Sequence, residues 1–274
     1  MARGDREQRC LERVKRRVFP NAVVQKAYDA DMALFHSSAF GFSLEDWRSF
    51  CIILASAEPN NEPSKFPDFR CANSVIEHFE ITATSEGKKG STFKRGHEPF
   101  IKSVEKDVDD ALASNDPKTF VRTFCYPDRN HALLLDSLEH NLKGHIASLE
   151  AYAVSHEVTT SVFVIEYQER GLEMIENIYE GIGGGRGFGD LREQQKFKNY
   201  RMSTDRKALE LLYVFADKLD IVVFAGVDDI EIIKLSEIPS MLKLMPWPFV
   251  VAAGVTLERH SFLPVLQVVD TTRE

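Results

Sequence analysis

The chain has 274 residues, 43% hydrophobic and 28% charged, so it is long enough to bury a core and too apolar for a disordered protein. Its net charge of −8 argues against non-specific coating of nucleic acid, because phosphate contacts need Lys and Arg, but leaves room for a local basic cleft. No cysteines form a CxxC pair, no apolar run would span a bilayer, and no secretory signal follows the basic start. We therefore expect a soluble, cytoplasmic protein with no membrane partner.

Residues 1–19 predict a basic amphipathic helix. Four arginines share one face because they recur at three- and four-residue spacing: Arg6, Arg9, Arg13 and Arg16. The apolar residues Leu11, Val14 and Val18 lie on another side. One interpretation is a contact with phosphate or anionic lipid, and the other is a solvated helix that docks by its apolar side. We expect docking, because nearby acids dilute the positive charge.

Two segments in the first third of the chain predict strands. Residues 44–49 predict a short helical turn, and the apolar run 50–57 then predicts a buried strand that ends at a polar loop. Residues 74–84 predict a second strand with mixed alternation. One of its faces carries Val75, Glu77, Phe79 and Ile81, and the other carries Ile76, His78, Glu80 and Thr82. We expect 50–57 and 74–84 to be neighbours in one sheet.

The rest of the chain alternates between helical and strand patterns. Helices are predicted at 98–115, 129–155, 171–180 and 205–218, and strands at 160–167, 220–226, 230–235, 249–256 and 264–269. This order predicts an α/β fold with a central mixed β-sheet flanked by helices. No linker firmly divides the chain, so we expect a single domain over 1–274. The sequence leaves open whether residues from about 200 to 274 form a C-terminal subdomain.

The strongest chemical pattern is Pro67-Asp68, followed by eleven intervening residues and then Glu80-Ile81-Thr82. Over residues 45–100 the chain resembles the PD-(D/E)xK signature of the restriction-endonuclease-like superfamily. That resemblance implies Asp68 near the start of one strand and Glu80 on the next, with Mg²⁺ or Mn²⁺ bound between the two carboxylates. It implies a metal-activated water, phosphodiester hydrolysis and a nucleic-acid partner. A helix at either 50–57 or 74–84, or a placement of the two runs in separate sheets, would end the nuclease argument.

The pattern is incomplete, because Thr82 stands where the superfamily has a lysine. A neutral hydroxyl does not stabilise the charge of a phosphate comparably, so we expect a lysine to arrive from elsewhere. Lys88 and Lys89 are the nearest candidates, and the glycines on either side of them let the chain turn back toward the strand. Lys94 and Arg95 are then left to contact the nucleic-acid backbone.

Other assignments of the acids stay open. Glu77 is the alternate metal ligand, but Glu80 shares its strand face with His78 and not with Glu77. The structural alternative has Asp68 capping a turn and Glu80 facing solvent. Glu166 ends a predicted strand and is a further candidate for the same cleft. The segments IEHF and KKGS also resemble a group of uncharacterised bacterial proteins, which implies no activity.

Six of the nine residues at 181–189 are glycine, which invites a phosphate-binding interpretation. Neither GxGxxG in its proper register nor GxxxxGK[ST] occurs, and a predicted helix precedes the segment, so we expect a mobile loop between helices. The sequence therefore predicts a metal-dependent nuclease-like protein with Asp68, Glu80, Glu77, Lys88 and Lys89 as site residues. The alternative is a non-catalytic α/β protein that binds a partner or small ligand.

Overall fold

The computed structural model describes residues 4–20, 39–62, 65–87, 90–114, 123, 129–169, 172–181, 190–197, 199–243, 249–253 and 256–264. Six α-helices lie in these ranges: α1 (Asp5–Val18), α2 (Leu44–Ser56), α3 (Thr92–Ser114), α4 (His131–Ala153), α5 (Arg206–Tyr213) and α6 (Ile238–Lys243). Short 3-10 turns at Met202–Thr204 and Leu235–Glu237 precede α5 and α6. No helix in the described ranges is long and apolar enough to cross a membrane.

The described strands form three sheets. The strands are β1 (Ala39–Phe40), β2 (Glu58–Pro59), β3 (Phe69–Cys71), β4 (Ser74–Glu80), β5 (Glu86–Gly87), β6 (Gly90–Ser91), β7 (Thr160–Glu166), β8 (Glu173–Gly181), β9 (Asp190–Phe197), β10 (Ile221–Ala225), β11 (Ile230–Lys234), β12 (Phe249–Ala253) and β13 (Thr256–Pro264). Seven of them make the largest sheet, in the order β1-β11-β10-β7-β4-β3-β2. A second sheet has the order β12-β13-β8-β9, and β5 pairs with β6.

The centre of the seven-stranded sheet is parallel. β4, β7 and β10 run in the same direction, and the hairpin partners β3 and β11 run antiparallel to β4 and β10. Their aligned carboxyl ends form one edge of the sheet, where ligand sites of open α/β sheets commonly lie. The expected mixed sheet with flanking helices is confirmed.

Each face of this sheet is covered by helices because side chains alternate along the strands. On one face Ile76, Val162 and Val164 pack in a core with residues of α1 and α2. On the other face Phe79 and Phe163 pack in a core with residues of α4, α5 and α6. We call these the α1 face and the α4 face. The expected docking of the N-terminal helix is confirmed, since Leu11, Val14 and Val18 of α1 are buried.

The strand predicted at 50–57 is wrong, because residues 50–56 belong to helix α2. Ser43 caps that helix: its hydroxyl accepts from the Asp46 amide at 3.1 Å, and the Asp46 carboxylate accepts from the Ser43 amide at 3.3 Å. The buried residues of α2 repeat at helical spacing: Trp47, Phe50, Cys51 and Leu54. The argument for a nuclease from two adjacent strands at 50–57 and 74–84 therefore ends.

The helix predicted at 171–180 is also wrong, because Glu173–Gly181 is strand β8. It lies between β9, to which it pairs antiparallel, and β13, to which it pairs parallel. The pairing with β13 joins residues more than 80 positions apart, so local periodicity does not reveal it. The glycine-rich segment thus connects two paired strands and not two helices, and residues 182–189 lie outside the described ranges.

Other predictions differ mainly in their boundaries. Helix α3 begins at Thr92, six residues earlier than expected, and α5 ends at Tyr213. The strand predicted at 264–269 falls almost entirely outside the described residues. From the proposed C-terminal subdomain, β10 pairs with β7 and β13 pairs with β8, both of which precede residue 200. The division into domains stays a prediction.

Candidate functional site at the carboxyl ends of the parallel strands

Two acids end neighbouring strands of the parallel sheet. Glu80 is the last residue of β4, Glu166 is the last residue of β7, and the two are paired in register. Paired residues of parallel strands point to the same face, and neighbouring strands lie about 4.8 Å apart. Both side chains therefore lie on the α1 face, where His78 precedes Glu80 by two residues. The expectation that Glu80 shares a face with His78 is confirmed.

Glu166 is buried and fully hydrogen-bonded. One carboxylate oxygen accepts from Arg13 at 3.2 Å and from Gln168 at 2.6 Å. The other lies 3.2 Å from His78 Nε2 and 3.4 Å from Arg6 Nε. Burial alone would raise the pKa of Glu166, but the hydrogen bond and charge of His78, with Gln168 and Arg6, outweigh it and lower the pKa to about 2.

Glu80 is more exposed and is paired with two cations. One oxygen forms an ion pair with Arg6 of α1, and the other lies 3.2 Å from Lys94 Nζ of α3. The side chains of Glu80 and Lys94 are 29% and 42% exposed. Burial, and then the charge of Arg6, lower the pKa of Lys94. We call Arg6, Arg13, His78, Glu80, Lys94 and Glu166 the α1-side cluster.

Lys94 thus reaches Glu80, although Thr82 stands where the superfamily has its lysine. The β5–β6 hairpin turns the chain back after β4, and α3 begins directly behind it with Lys94 in its first turn. Lys88 and Lys89 lie outside the described residues, so their predicted place beside the carboxylates stays a prediction. Arg95, the other expected backbone contact, is exposed and donates to Thr92 Oγ1 at 3.1 Å.

Asp68 directly precedes β3 and contacts the adjacent strand β4. Its carboxylate accepts from the His78 amide at 2.8 Å, and its own amide donates to Glu77 at 3.0 Å. Glu77 faces α4, where its other oxygen lies 2.8 Å from His145 Nδ1. Burial, and then the charge of Glu77, raise the pKa of Asp68 to about 6. Asp68 is thus associated more directly with Glu77 and the His78 backbone than with Glu80.

A second polar cluster lies just beyond the same strand ends on the α4 face. The Glu169 carboxylate accepts from the Thr82 hydroxyl, from the Ala83 amide at 3.0 Å and from Thr84 at 3.5 Å. Arg129 Nε lies 3.9 Å from it. We call Thr82, Thr84, Arg129 and Glu169 the α4-side cluster, and all four are buried. Thr82 therefore takes part in a buried hydrogen-bond network and does not extend toward Glu80.

One group of side chains in the described ranges offers three ligand atoms within 4.8 Å of one another, namely Cys10, His78 and Glu166. Its thiol and imidazole would suit Zn²⁺ better than Mg²⁺. A thiolate is required for that role, and burial, followed by the charge of Glu166, raises the pKa of Cys10 to about 12. The Arg6 and Arg13 guanidinium groups already contact Glu166, so a cation does not fit this group as it stands.

Mg²⁺ and Mn²⁺ prefer oxygen ligands, which Glu80, Glu166 and Asp68 supply. Asp68 and Glu80 belong to no three-ligand group in the part of the chain that the structure describes. The guanidinium of Arg6 contacts both Glu80 and Glu166. The donor chemistry fits a hard divalent ion, but Arg6 takes the oxygens that such an ion would need.

Sequence reasoning missed the inward role of Arg6 and Arg13. Their seven-residue spacing places them on one face of α1, as predicted, but that face meets the strand ends and not only solvent. Arg13 also donates to the Gly226 carbonyl at 2.9 Å. Glu166, in contrast, was marked by its place at the end of an apolar strand.

Searches against protein-family models, curated proteins and solved structures find no match for this chain.

Proposed function

We propose that this protein hydrolyses phosphodiester bonds in nucleic acid with the help of Mg²⁺ or Mn²⁺, on a restriction-endonuclease-like core. The observation that carries this proposal is the position of Lys94, whose ammonium lies 3.2 Å from Glu80 at the end of β4. The superfamily pattern needs a cation beside this acid, and Thr82 does not supply it. Lys94 supplies the missing charge from another element.

The local order of elements supports the same proposal by a route that does not use residues 50–57. Asp68 stands at the start of β3, and the antiparallel neighbour β4 carries Glu77 and Glu80. An acid near the start of one strand and another acid on the next is the arrangement that the resemblance implies. Glu166, in register with Glu80, adds a third carboxylate at this edge.

The proposed roles follow from the contacts of each side chain. Glu80 and Glu166 would hold the ion, with Asp68 as the further acid, and a bound ion supplies an activated water and neutralises phosphate charge. Lys94 would stabilise negative charge that develops on the phosphate. His78, hydrogen-bonded to Glu166, would orient that carboxylate.

The test is a cleavage assay on single- and double-stranded DNA and on RNA, with Mg²⁺, Mn²⁺ or EDTA. We expect metal-dependent cleavage that Glu80→Gln reduces by roughly 10²-fold or more. Glu150→Gln is the matched control, since Glu150 is exposed and pairs with Lys218 at 2.7 Å, on a different part of the surface. Equal activity of both variants would overturn the role of Glu80.

One observation favours the alternative, a non-catalytic protein that binds a partner or small ligand. Arg6 and Arg13 already neutralise Glu80 and Glu166, as expected for acids that hold a helix in place. A wild-type protein that binds no Mn²⁺ and cuts none of the nucleic acids, together with an Arg6→Gln variant that is equally inert, would overturn the nuclease and leave this alternative.

A further inference from the structure

Helix α1 places a guanidinium between the two acids that end β4 and β7. Arg6 Nη2 forms an ion pair with Glu80, and Arg6 Nε lies 3.4 Å from Glu166. A divalent ion held by these two carboxylates would need the same oxygens. The guanidinium therefore stands where the proposed function requires a metal ion.

Charge makes the two occupants mutually exclusive. Arg6, Arg13 and Lys94 bring three positive charges to the two carboxylates of Glu80 and Glu166. A divalent ion added to this set would be repelled by each of the cations at short range, where Coulomb energies are large in a partly buried site. Removing the Arg6 guanidinium takes away the one positive charge that contacts both acids, and it leaves Arg13 and Lys94 to balance the two carboxylates.

The part of α1 that carries Arg6 is the weakly anchored part. Residues Asp5–Arg9 are half-buried or exposed, whereas the buried side chains begin at Cys10. The N-cap is Gly4, whose amide donates to the Glu7 carboxylate at 3.0 Å, and no side chain of the cap residue bonds to the helix. A helix end with few buried contacts opens at low cost in free energy.

Arg13 lies in the anchored part and is held by three carbonyl or carboxylate oxygens. It donates to Gly226 at 2.9 Å, to Ala225 at 3.2 Å and to Glu166 at 3.2 Å. Fraying of the first turn of α1 would thus expose one oxygen of Glu80, whose other oxygen keeps Lys94. It would leave His78 as the partner of the Glu166 oxygen that Arg6 contacts, while Arg13 stays in place. Arg6 therefore lies in the less anchored part of α1, and Arg13 lies in the anchored part.

We propose that the first turn of α1 is an autoinhibitory segment: Arg6 occupies the cation position between Glu80 and Glu166, and a divalent ion binds there only after this turn is displaced. The proposal rests on the proposed function, because it describes the regulation of the same site. The proposal requires metal binding and unwinding of residues 5–9 to be coupled. Each process then favours the other by the same free energy.

The first experiment measures Mn²⁺ affinity by the loss of the free-ion signal in electron paramagnetic resonance. Arg6→Gln should bind Mn²⁺ about tenfold more tightly than wild type, or better. Arg9→Gln is the matched control, because Arg9 is exposed on the same turn and donates to the Asp5 carbonyl of its own helix. Arg6→Lys keeps the charge and should bind Mn²⁺ about as weakly as wild type. Equal affinities of Arg6→Gln and Arg9→Gln would overturn the proposal.

A second measurement uses the unaltered chain, so it does not depend on how a variant folds. The Gln8 amide donates to the Gly4 carbonyl at 3.0 Å in the first turn of α1. Saturating Mn²⁺ should speed hydrogen exchange at Gln8 and leave exchange at Val14 unchanged. Unchanged exchange at Gln8 with Mn²⁺ bound would contradict the displacement of this turn.

Cleavage assays distinguish a failure of this inference from a failure of the proposed function. Tighter Mn²⁺ binding by Arg6→Gln without cleavage of any nucleic acid supports the autoinhibitory contact and overturns the nuclease. Metal-dependent cleavage by wild type with no gain in affinity or rate for Arg6→Gln supports the nuclease and overturns the autoinhibitory contact.

Discussion

The two polar clusters at the strand ends differ in how they are held. In the α4-side cluster Thr82, Thr84, Arg129 and Glu169 are each at most 4% exposed, and Glu169 accepts from a backbone amide as well as from side chains. In the α1-side cluster Arg6 and Glu80 are both 29% exposed, and charge pairs dominate. A buried network of this kind specifies packing, while half-exposed charges can exchange partners at little cost. This difference is the reason for placing the proposed chemistry on the α1 side.

The largest loss of stability is expected from the α4-side cluster. Glu169→Ala removes the acceptor of the Ala83 amide and of two threonine hydroxyls, and it leaves the buried charge of Arg129 less compensated. We expect the free energy of unfolding to fall by about 3–5 kcal/mol. Chemical denaturation measures this, with Glu80→Ala on the other face as the comparison and an expected loss of about 1 kcal/mol or less. Equal losses would remove the distinction between the clusters.

Asp68 is expected to act in the opposite direction, as an acid that costs stability. Burial and the neighbouring Glu77 raise its pKa from 3.8 to about 6, so the folded state binds a proton that the unfolded state releases between these values. Stability must therefore fall as pH rises from about 4 to 6. Asp68→Asn should raise the free energy of unfolding at pH 7 by roughly 1–3 kcal/mol and flatten that slope.

The control for Asp68→Asn is Asp217→Asn, at an exposed position after α5. If Asp68 is a metal ligand, Asp68→Asn should also weaken Mn²⁺ binding. The substitution would then raise stability and lower function. Suppose that Asp68→Asn is no more stable than wild type at pH 7 and that its stability still falls between pH 4 and 6. Asp68 would then not be the acid that burial and Glu77 destabilise.

Some of this arrangement could be read from local sequence and some could not. The alternation at 74–80 correctly separated Glu77 from His78 and Glu80, because side-chain direction in a strand depends on the strand alone. The capping box at Ser43 and the helical spacing from Trp47 to Leu54 both indicate a helix, whereas the apolar run at 50–57 taken alone predicts a strand. Local sequence therefore contains the signal for helix α2.

Long-range contacts explain the rest. Arg6 meets Glu166 across 160 residues, and β8 gains its neighbour β13 from the far end of the chain. Periodicity within a window contains no information about such pairings. The place of Lys94 could be predicted only in part. The glycines around 88–89 predict that the chain turns back, but the lysine that reaches Glu80 is Lys94, in the first turn of α3.

The smallest change in stability is expected for Lys94→Met, which makes this substitution the sharpest test of the α1 side. Lys94 is 42% exposed and Glu80 keeps Arg6 as a partner, so the free energy of unfolding should change by about 1 kcal/mol or less. If Lys94 supplies the cation that Thr82 lacks, kcat should still fall by roughly 10²-fold or more, because the stabilising charge acts on the transition state. Lys143→Met is the matched control, since Lys143 is exposed and pairs with Glu139 on α4. A combined Lys88→Met and Lys89→Met variant decides between the two sources of the lysine: loss of kcat there, with Lys94→Met fully active, would transfer the role to residues 88–89 and remove the observation on which the proposed function rests.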